Sequence, residues 1–168
     1  MKYRAVLSLL LALIAGGCGF HPLLSAHGGG STQLAAVYVD ILPNRAGQLL
    51  RQALQAKLEG STSGVARRFT LTISYAEVPQ PLAVQSDNSF TRIRDIGSVV
   101  WSLRAAATAS QQLAGGTVRS MDGYNIVDEQ FFYADLSEEA TQRRLADALA
   151  DQVVARLAVY FDKHPEHG

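Results

Sequence analysis

The sequence predicts an α+β fold. It is a two-layer sandwich, a mostly antiparallel sheet of about four strands covered by two helices, in the order β-α-β-β-β-α. Three observations predict it. Segments 68–78 and 92–110 alternate apolar and polar residues, the period of a half-buried strand. The segments from Asn44 to about Glu59 and from Asp135 to about Asp162 repeat apolar residues every four positions, the period of a helix with one buried stripe. The 168 residues suffice for one domain and not comfortably for two.

The elements follow in order. Ala36 to Ile41 reads as the first strand, with Val37, Val39 and Ile41 on one face. Pro43 and Asn44 break it, and Asn44 can cap the helix that follows. Leu50, Leu54 and Leu58, with Ala46 and Ala53 beside them, form its stripe, and Gly60 is a natural stop. Residues 61–66 read as a loop. From Arg68 to Val78, Phe69, Leu71, Ile73 and Tyr75 face one way; Arg68, Thr70, Thr72 and Ser74 face the other. Pro79, Pro81, Asp87 and Asn88 mark a long loop. Arg92 to Ser110 alternates again, with Val99, Trp101, Leu103, Ala105, Ala107 and Ala109 on one face. Gly115-Gly116 predicts a hairpin turn, and Thr117 to Ile126 the returning strand. Asp135 with Glu138 resembles a capping box. The helix it opens carries Leu145, Leu149, Val153 and Leu157 on one stripe. At about 26 residues it would be about 39 Å long.

The N-terminus has a different character. Lys2 and Arg4 precede an apolar run from Val6 to Gly17, broken only by Ser8. That run is shorter than the roughly 20 residues a bilayer crossing needs. It has the length of a signal-peptide core. Ala15, Gly16 and Gly17 then lead to Cys18, the one cysteine of the chain. The pattern resembles the lipobox of bacterial lipoproteins, in which cleavage exposes the cysteine for acylation. The usual Leu three residues before the cysteine is Ala15 here, with Ile14 one step earlier. Ordinary secretory cleavage near Gly17 is the alternative, but it leaves an exposed thiol in an oxidising compartment. Acyl chains on Cys18, at about 0.8 kcal/mol per buried methylene, would anchor the protein without a spanning helix. Gly19, where inner-membrane lipoproteins of enteric bacteria carry Asp, implies outer-membrane sorting by the same resemblance. The expected organisation is a signal peptide over 1–17, a lipidated N-terminus and flexible tether over 18–34, the domain over 35–163 and a disordered tail over 164–168. Gly28-Gly29-Gly30 supplies the tether's flexibility.

Composition excludes several classes. One cysteine cannot build a disulfide framework or a Cys-rich zinc site. Fifteen basic and 15 acidic residues argue against a broadly basic nucleic-acid binder. With 48% hydrophobic residues the chain is not disordered. The balance hides an asymmetry. Residues 41–119 carry nine basic and four acidic groups, net +5. Residues 120–168 carry four basic and ten acidic, net −6.

Two segments carry a family resemblance. Cys18-Gly19-Phe20-His21-Pro22-Leu23, and then Ile41-Leu42-Pro43-Asn44-Arg45-Ala46-Gly47-Gln48-Leu49-Leu50-Arg51, resemble the lipopolysaccharide-assembly lipoprotein family (LptE) in its alphaproteobacterial form. The later strands and the Ala-rich last helix with its Tyr160-Phe161 end are also similar. The family usually has an aromatic residue after the Pro-Leu pair, where this chain has Leu24. The resemblance implies a lipoprotein on the periplasmic face of the outer membrane. It implies a plug inside a large β-barrel partner (LptD-like), assisting barrel assembly and placing lipopolysaccharide in the outer leaflet. A second reading is an auxiliary lipoprotein of another lipid-transport or secretion complex.

Lipopolysaccharide carries phosphates, which suit arginine forks. Arg92 and Arg94, flanking Ile93, are the first candidates for such contacts, followed by Arg67, Arg68 and Arg119. Solvated strand ends, or contacts to carboxylates of the barrel, are the competing readings. No catalytic, metal or cofactor site is expected. Gly60-Ser61-Thr62-Ser63-Gly64 has the glycine spacing of a nucleophile elbow but places Thr62 at the nucleophile position. His164 and His167 flank Pro165 in the expected tail, and His21 and His27 lie in the expected tether. Glu138-Glu139 is explained by the helix macrodipole. Trp101 and Tyr124 read as packing residues.

Overall fold

The structure is a computed structural model and describes residues 29–60, 64–84, 90–126 and 131–165. Cys18 and the loop from Ser61 to Ser63 lie outside them. A helix, α1 (Gly29–Ala35), is followed by strand β1 (Val37–Val39) and helix α2 (Arg45–Glu59). Strands β2 (Phe69–Val84), β3 (Phe90–Ala105) and β4 (Thr108–Asn125) come next, and helix α3 (Phe131–Lys163) closes the chain. The strand order is β1-β2-β3-β4. β1 is parallel to β2, and the two later pairings are antiparallel. The sheet is therefore mixed, with α2 as the crossover of a β-α-β unit. The expected α+β fold is present, with one helix more among the described residues, Gly29–Ala35.

α2 forms where its local signals place it. The Asn44 side chain accepts a hydrogen bond from the Gly47 N–H at 2.8 Å, closing the first turn. Gly47 is needed there because a Cβ would stand 2.9 Å from Leu42 Cβ. Two residues of the family-like segment thus have structural roles. Asn44 caps the helix, and Gly47 lets it meet Leu42 closely. Leu50, Leu54 and Leu58 are buried, as their spacing predicts. Gly60, at φ +49°, ends the helix by returning its N–H to the Ala56 carbonyl.

Several boundaries differ from the expectation. β1 ends at Val39, and Ile41, expected on its face with Val37 and Val39, is exposed. Gly29–Ala35, in the expected tether, is helical and packs on α3, with Gln33 and Leu34 buried. α3 begins at Phe131, so Asp135 lies inside the helix and not at its cap. Nothing between Phe131 and Ala134 breaks a helix. At 33 residues, α3 is about 50 Å long. Glu138 and Glu139 are then beyond the first turn, and the macrodipole no longer accounts for them. Glu139 instead pairs with both Arg45 of α2 and Arg143. The hydrogen bond from Arg45 comes first among the causes that hold its carboxyl below the usual range.

The prolines do not end β2. Pro79 pairs with Asp95 and Pro81 with Ile93. β1 covers only Phe69 to Leu71, so the rest of β2 is an edge, where proline is tolerated. The expected long loop therefore contains a strand end.

The largest correction concerns the β3–β4 hairpin. The chain turns at Ala106-Ala107, with Ala105 paired to Thr108, and not at Gly115-Gly116. The glycines sit mid-strand, opposite Ser102 and Trp101. A Cβ on Gly116 would lie 3.4 Å from the Trp101 ring. That is ordinary packing distance; the close approach is at Gly115, where a Cβ would stand 3.0 Å from the Trp101 carbonyl oxygen, so neither glycine makes a turn here.

α2 and α3 cover one face of the sheet. Leu50, Leu54, Leu145, Leu149, Val153 and Leu157 meet Leu71, Val99 and Leu103 in one core. Phe161 packs at 5.0 Å from Phe69 and closes it near the start of β2. Trp101 is buried, in line with its reading as a packing residue. His164, in the expected tail, ends α3: its Nδ1 donates to the Tyr160 carbonyl at 2.9 Å. His167 lies outside the described residues.

Candidate functional site: the open face of the sheet

Strand alternation sends every second side chain of β2, β3 and β4 away from the helices. The registers order these residues in rows. Gln80, Arg94 and Gly123 form one; Val78, Ile96 and Met121 the next; Ala76, Ser98 and Arg119 a third; Ser74, Val100 and Thr117 a fourth. Successive rows are about 7 Å apart. No helix among the described residues covers them. Val78, Val100 and Met121 remain 60%, 55% and 63% exposed, unusual for such side chains on adjacent positions.

Charge is sorted by the same alternation. The three long strands direct Arg92, Arg94, Arg104 and Arg119 to the open face and no carboxylate among the described residues. Their acids Glu77, Asp95 and Asp122 fall on the helix side. Arg94 and Asp95 are neighbours in sequence and opposite in direction. Arg92 and Arg94 stand about 7 Å apart along β3. Arg119 lies on the far side of the Val78-Ile96-Met121 row. Among the described residues no carboxylate lies within 4.0 Å of Arg92, Arg94 or Arg119. The face is a band of exposed apolar side chains flanked by these three guanidinium groups.

Three of the five arginines singled out from sequence meet on this face. Arg67 and Arg68 do not. Arg67 stacks over the Tyr38 ring at 4.9 Å and reaches Glu59 at 3.6 Å. Arg68 lies over Phe69 at 5.7 Å. Both line a hollow of about 350 Å³ at the β3–β4 turn. Arg104 and the apolar row are additional. Their signal was the alternation itself, which places them together only with the true hairpin register.

The helix side of the same rows is acidic. Asp95 is 3% exposed and its Oδ2 has no hydrogen-bond partner among the described residues. Burial, followed by the charges of Glu77, Glu138 and Asp122, pushes its carboxyl up to about 6. Tyr75 donates to Glu77 at 2.8 Å, and burial with that bond raises its phenol beyond the ordinary range. Burial first, and then Glu138, raises Tyr124 to about 12. Arg144 of α3 answers part of this charge through Asp122 at 2.6 Å. Among the described residues no group of three or more His, Cys, Asp or Glu side chains is arranged to hold a metal ion. No described helix is long and apolar enough to cross a membrane.

These features define a class: a half-covered α+β sandwich whose free sheet face is apolar and cationic, suited to an amphiphilic anion. Comparison with known proteins gives the family and the fold. The family model for LptE, lipopolysaccharide assembly, matches residues 34–157. The chain belongs to this lipopolysaccharide-assembly family. Among solved structures, a candidate lipoprotein of Caulobacter crescentus is 24% identical, with a TM-score of 0.68 over 81% of this chain and 97% of that one. Lipoprotein B of Nitrosomonas europaea is 16% identical, with a TM-score of 0.55 over 78% and 86%. Rare lipoprotein B of Shewanella oneidensis is 11% identical, with a TM-score of 0.52 over 73% and 92%. These likenesses concern the fold. No curated protein matches the chain in sequence.

Proposed function

We propose that this chain is the lipid-anchored plug subunit of a lipopolysaccharide-export translocon at the periplasmic face of the outer membrane. Acyl chains on Cys18 hold it there, a large LptD-like β-barrel surrounds it, and its open sheet face receives lipopolysaccharide. The open face is the observation that carries the reading. Lipid A phosphates are anionic and its acyl chains apolar, and the face offers both partners side by side. Arg92 and Arg94 take phosphate oxygens, as guanidinium forks do well. Val78, Ile96 and Met121 take the apolar part. Membership in a lipopolysaccharide-assembly family supports the same conclusion.

Co-purification tests it. The tagged full-length protein brings down one large outer-membrane β-barrel. Recovery of inner-membrane transporter subunits alone overturns the plug reading in favour of an auxiliary lipoprotein of another transport complex. A second experiment isolates the face. Arg92→Asp together with Arg94→Asp weakens lipopolysaccharide binding by about tenfold or more at low salt. The difference shrinks as salt screens the exposed charges. Unchanged binding with an intact circular-dichroism spectrum removes these arginines from the site.

A further inference from the structure

A second hollow lies between β4 and the last two turns of α3. It has a volume of about 250 Å³. Its origin is in the sequence. Helix-facing position 116 of β4 is glycine, so the strand presents no side chain beside the Trp101 ring. Opposite it, α3 contributes Arg156, Tyr160 and Lys163, which share one helix face at spacings of four and three. His164 fixes the far wall. Its ring stacks on Tyr160 at 4.4 Å, and its Nδ1 donates to the Tyr160 carbonyl.

Three properties of this hollow point the same way. Its lining includes Arg156 and Lys163 and no carboxylate. Neither cation has an ion-pair partner among the described residues. The Trp101 side chain, 95% buried by its 5% exposure, keeps its Nε1 donor without an acceptor. A buried donor without an acceptor is rare in folded proteins. Two cations, an indole N–H without an acceptor and aromatic walls are the groups that an oxyanion on a small apolar body would need.

We infer that this hollow binds a small organic oxyanion, a carboxylate or a phosphate ester. The oxyanion sits between Arg156 and Lys163, and the apolar part lies against Trp101 and Tyr160. A small shift of β4 at Gly116 brings the indole N–H to the bound oxygen. The two cations lie on the helix side of the sheet, away from Arg92 and Arg94, although Thr117 of the open face reaches the rim of the hollow.

The test uses the protein's own reporter. Trp101 is the one tryptophan of the chain, so its fluorescence and its indole N–H resonance report binding beside it; it also borders a hollow with Ser74 and Val100, and the Arg156, Lys163 double variant below assigns the signal to one of the two. The full-length protein is titrated with inorganic phosphate, hexanoate and the neutral control hexanol. A saturable shift with phosphate assigns a phosphate ester, and one with hexanoate alone assigns a carboxylate. Arg156→Gln with Lys163→Gln, both exposed and outside the core, weakens that binding by about tenfold. Arg92→Asp with Arg94→Asp leaves it unchanged, which separates this site from the lipopolysaccharide face. Absence of any saturable shift up to about 50 mM, well above millimolar dissociation constants, overturns the inference. So does hexanol binding as well as hexanoate, or full binding by the Arg156, Lys163 double variant.

Discussion

Leu149→Ala is expected to lower the unfolding free energy by about 3–5 kcal/mol, in the upper range for such truncations. Leu149 is fully buried on the face of α3 that meets the sheet. Beneath it lies Gly97 of β3. A Cβ at that position would stand 2.8 Å from Leu149 Cδ1 and 3.1 Å from Leu145 Cδ2. Glycine has no side chain to move into the space that Leu149 leaves. β3 is hydrogen-bonded on both sides, so its backbone cannot follow either. The cavity stays open, and the cost includes its volume as well as the lost transfer energy. Gly97→Ala alone overpacks the same contact, at about 1–3 kcal/mol. Joined in one chain, the two substitutions are expected to cost less than their sum, because the new methyl enters the vacated space. Urea unfolding of the two single variants and the double variant measures the coupling. Strict additivity would falsify the close contact between α3 and Gly97.

Asp95→Asn is expected to act in the other direction and to raise stability at pH 7 by about 2–3 kcal/mol. The ordinary carboxyl value is 3.8, and burial with Glu77, Glu138 and Asp122 lifts it to about 6 in the folded protein. Each unit of such a shift corresponds to about 1.4 kcal/mol. The sign follows from proton linkage. Between about pH 4 and pH 6 the folded state holds a proton that the unfolded state has released. Stability therefore falls as pH rises through that window and levels off above it. Below the unfolded value both states are protonated, and the contribution is fully present. The amide keeps the shape of the side chain and removes the charge. Its unfolding profile should therefore lack this fall, while the parent protein shows it. Parallel profiles from pH 4 to pH 7 would show that Asp95 is not the group responsible. Arg144 is bound to Asp122, and so leaves Asp95 with acidic neighbours.

How much was legible in the sequence depends on how local each signal is. α2 was fully legible. Its cap, its leucine stripe and its terminating glycine act within a few residues of one another, so propensity and packing agree. The core faces of β2 and β3 were legible for the same reason: Phe69, Leu71, Val99, Trp101 and Leu103 announce a period of two. The hairpin was not. Gly115-Gly116 carries the stronger local turn signal, and Ala106-Ala107 carries almost none. The pairing of β3 with β4 decides between them, and it is made of contacts between distant residues. β2 ran on through Pro79 and Pro81 because its neighbour β1 is short, a fact about the sheet and not about the prolines.

The candidate site divides along the same line. The sequence by itself determined a lone cysteine after an apolar leader, the helix and strand periods, the Asn44 cap and a set of arginines in a basic middle segment. The tertiary structure decided which arginines share a surface. It put Arg92, Arg94 and Arg119 on the open face around Val78, Ile96 and Met121, and left Arg67 and Arg68 beside Tyr38 and Phe69. The physical reason is that a strand fixes only the alternation of its side chains. Which residues of neighbouring strands stand beside one another is fixed by register. Which of the two faces stays open is fixed by where the helices find a surface to bury.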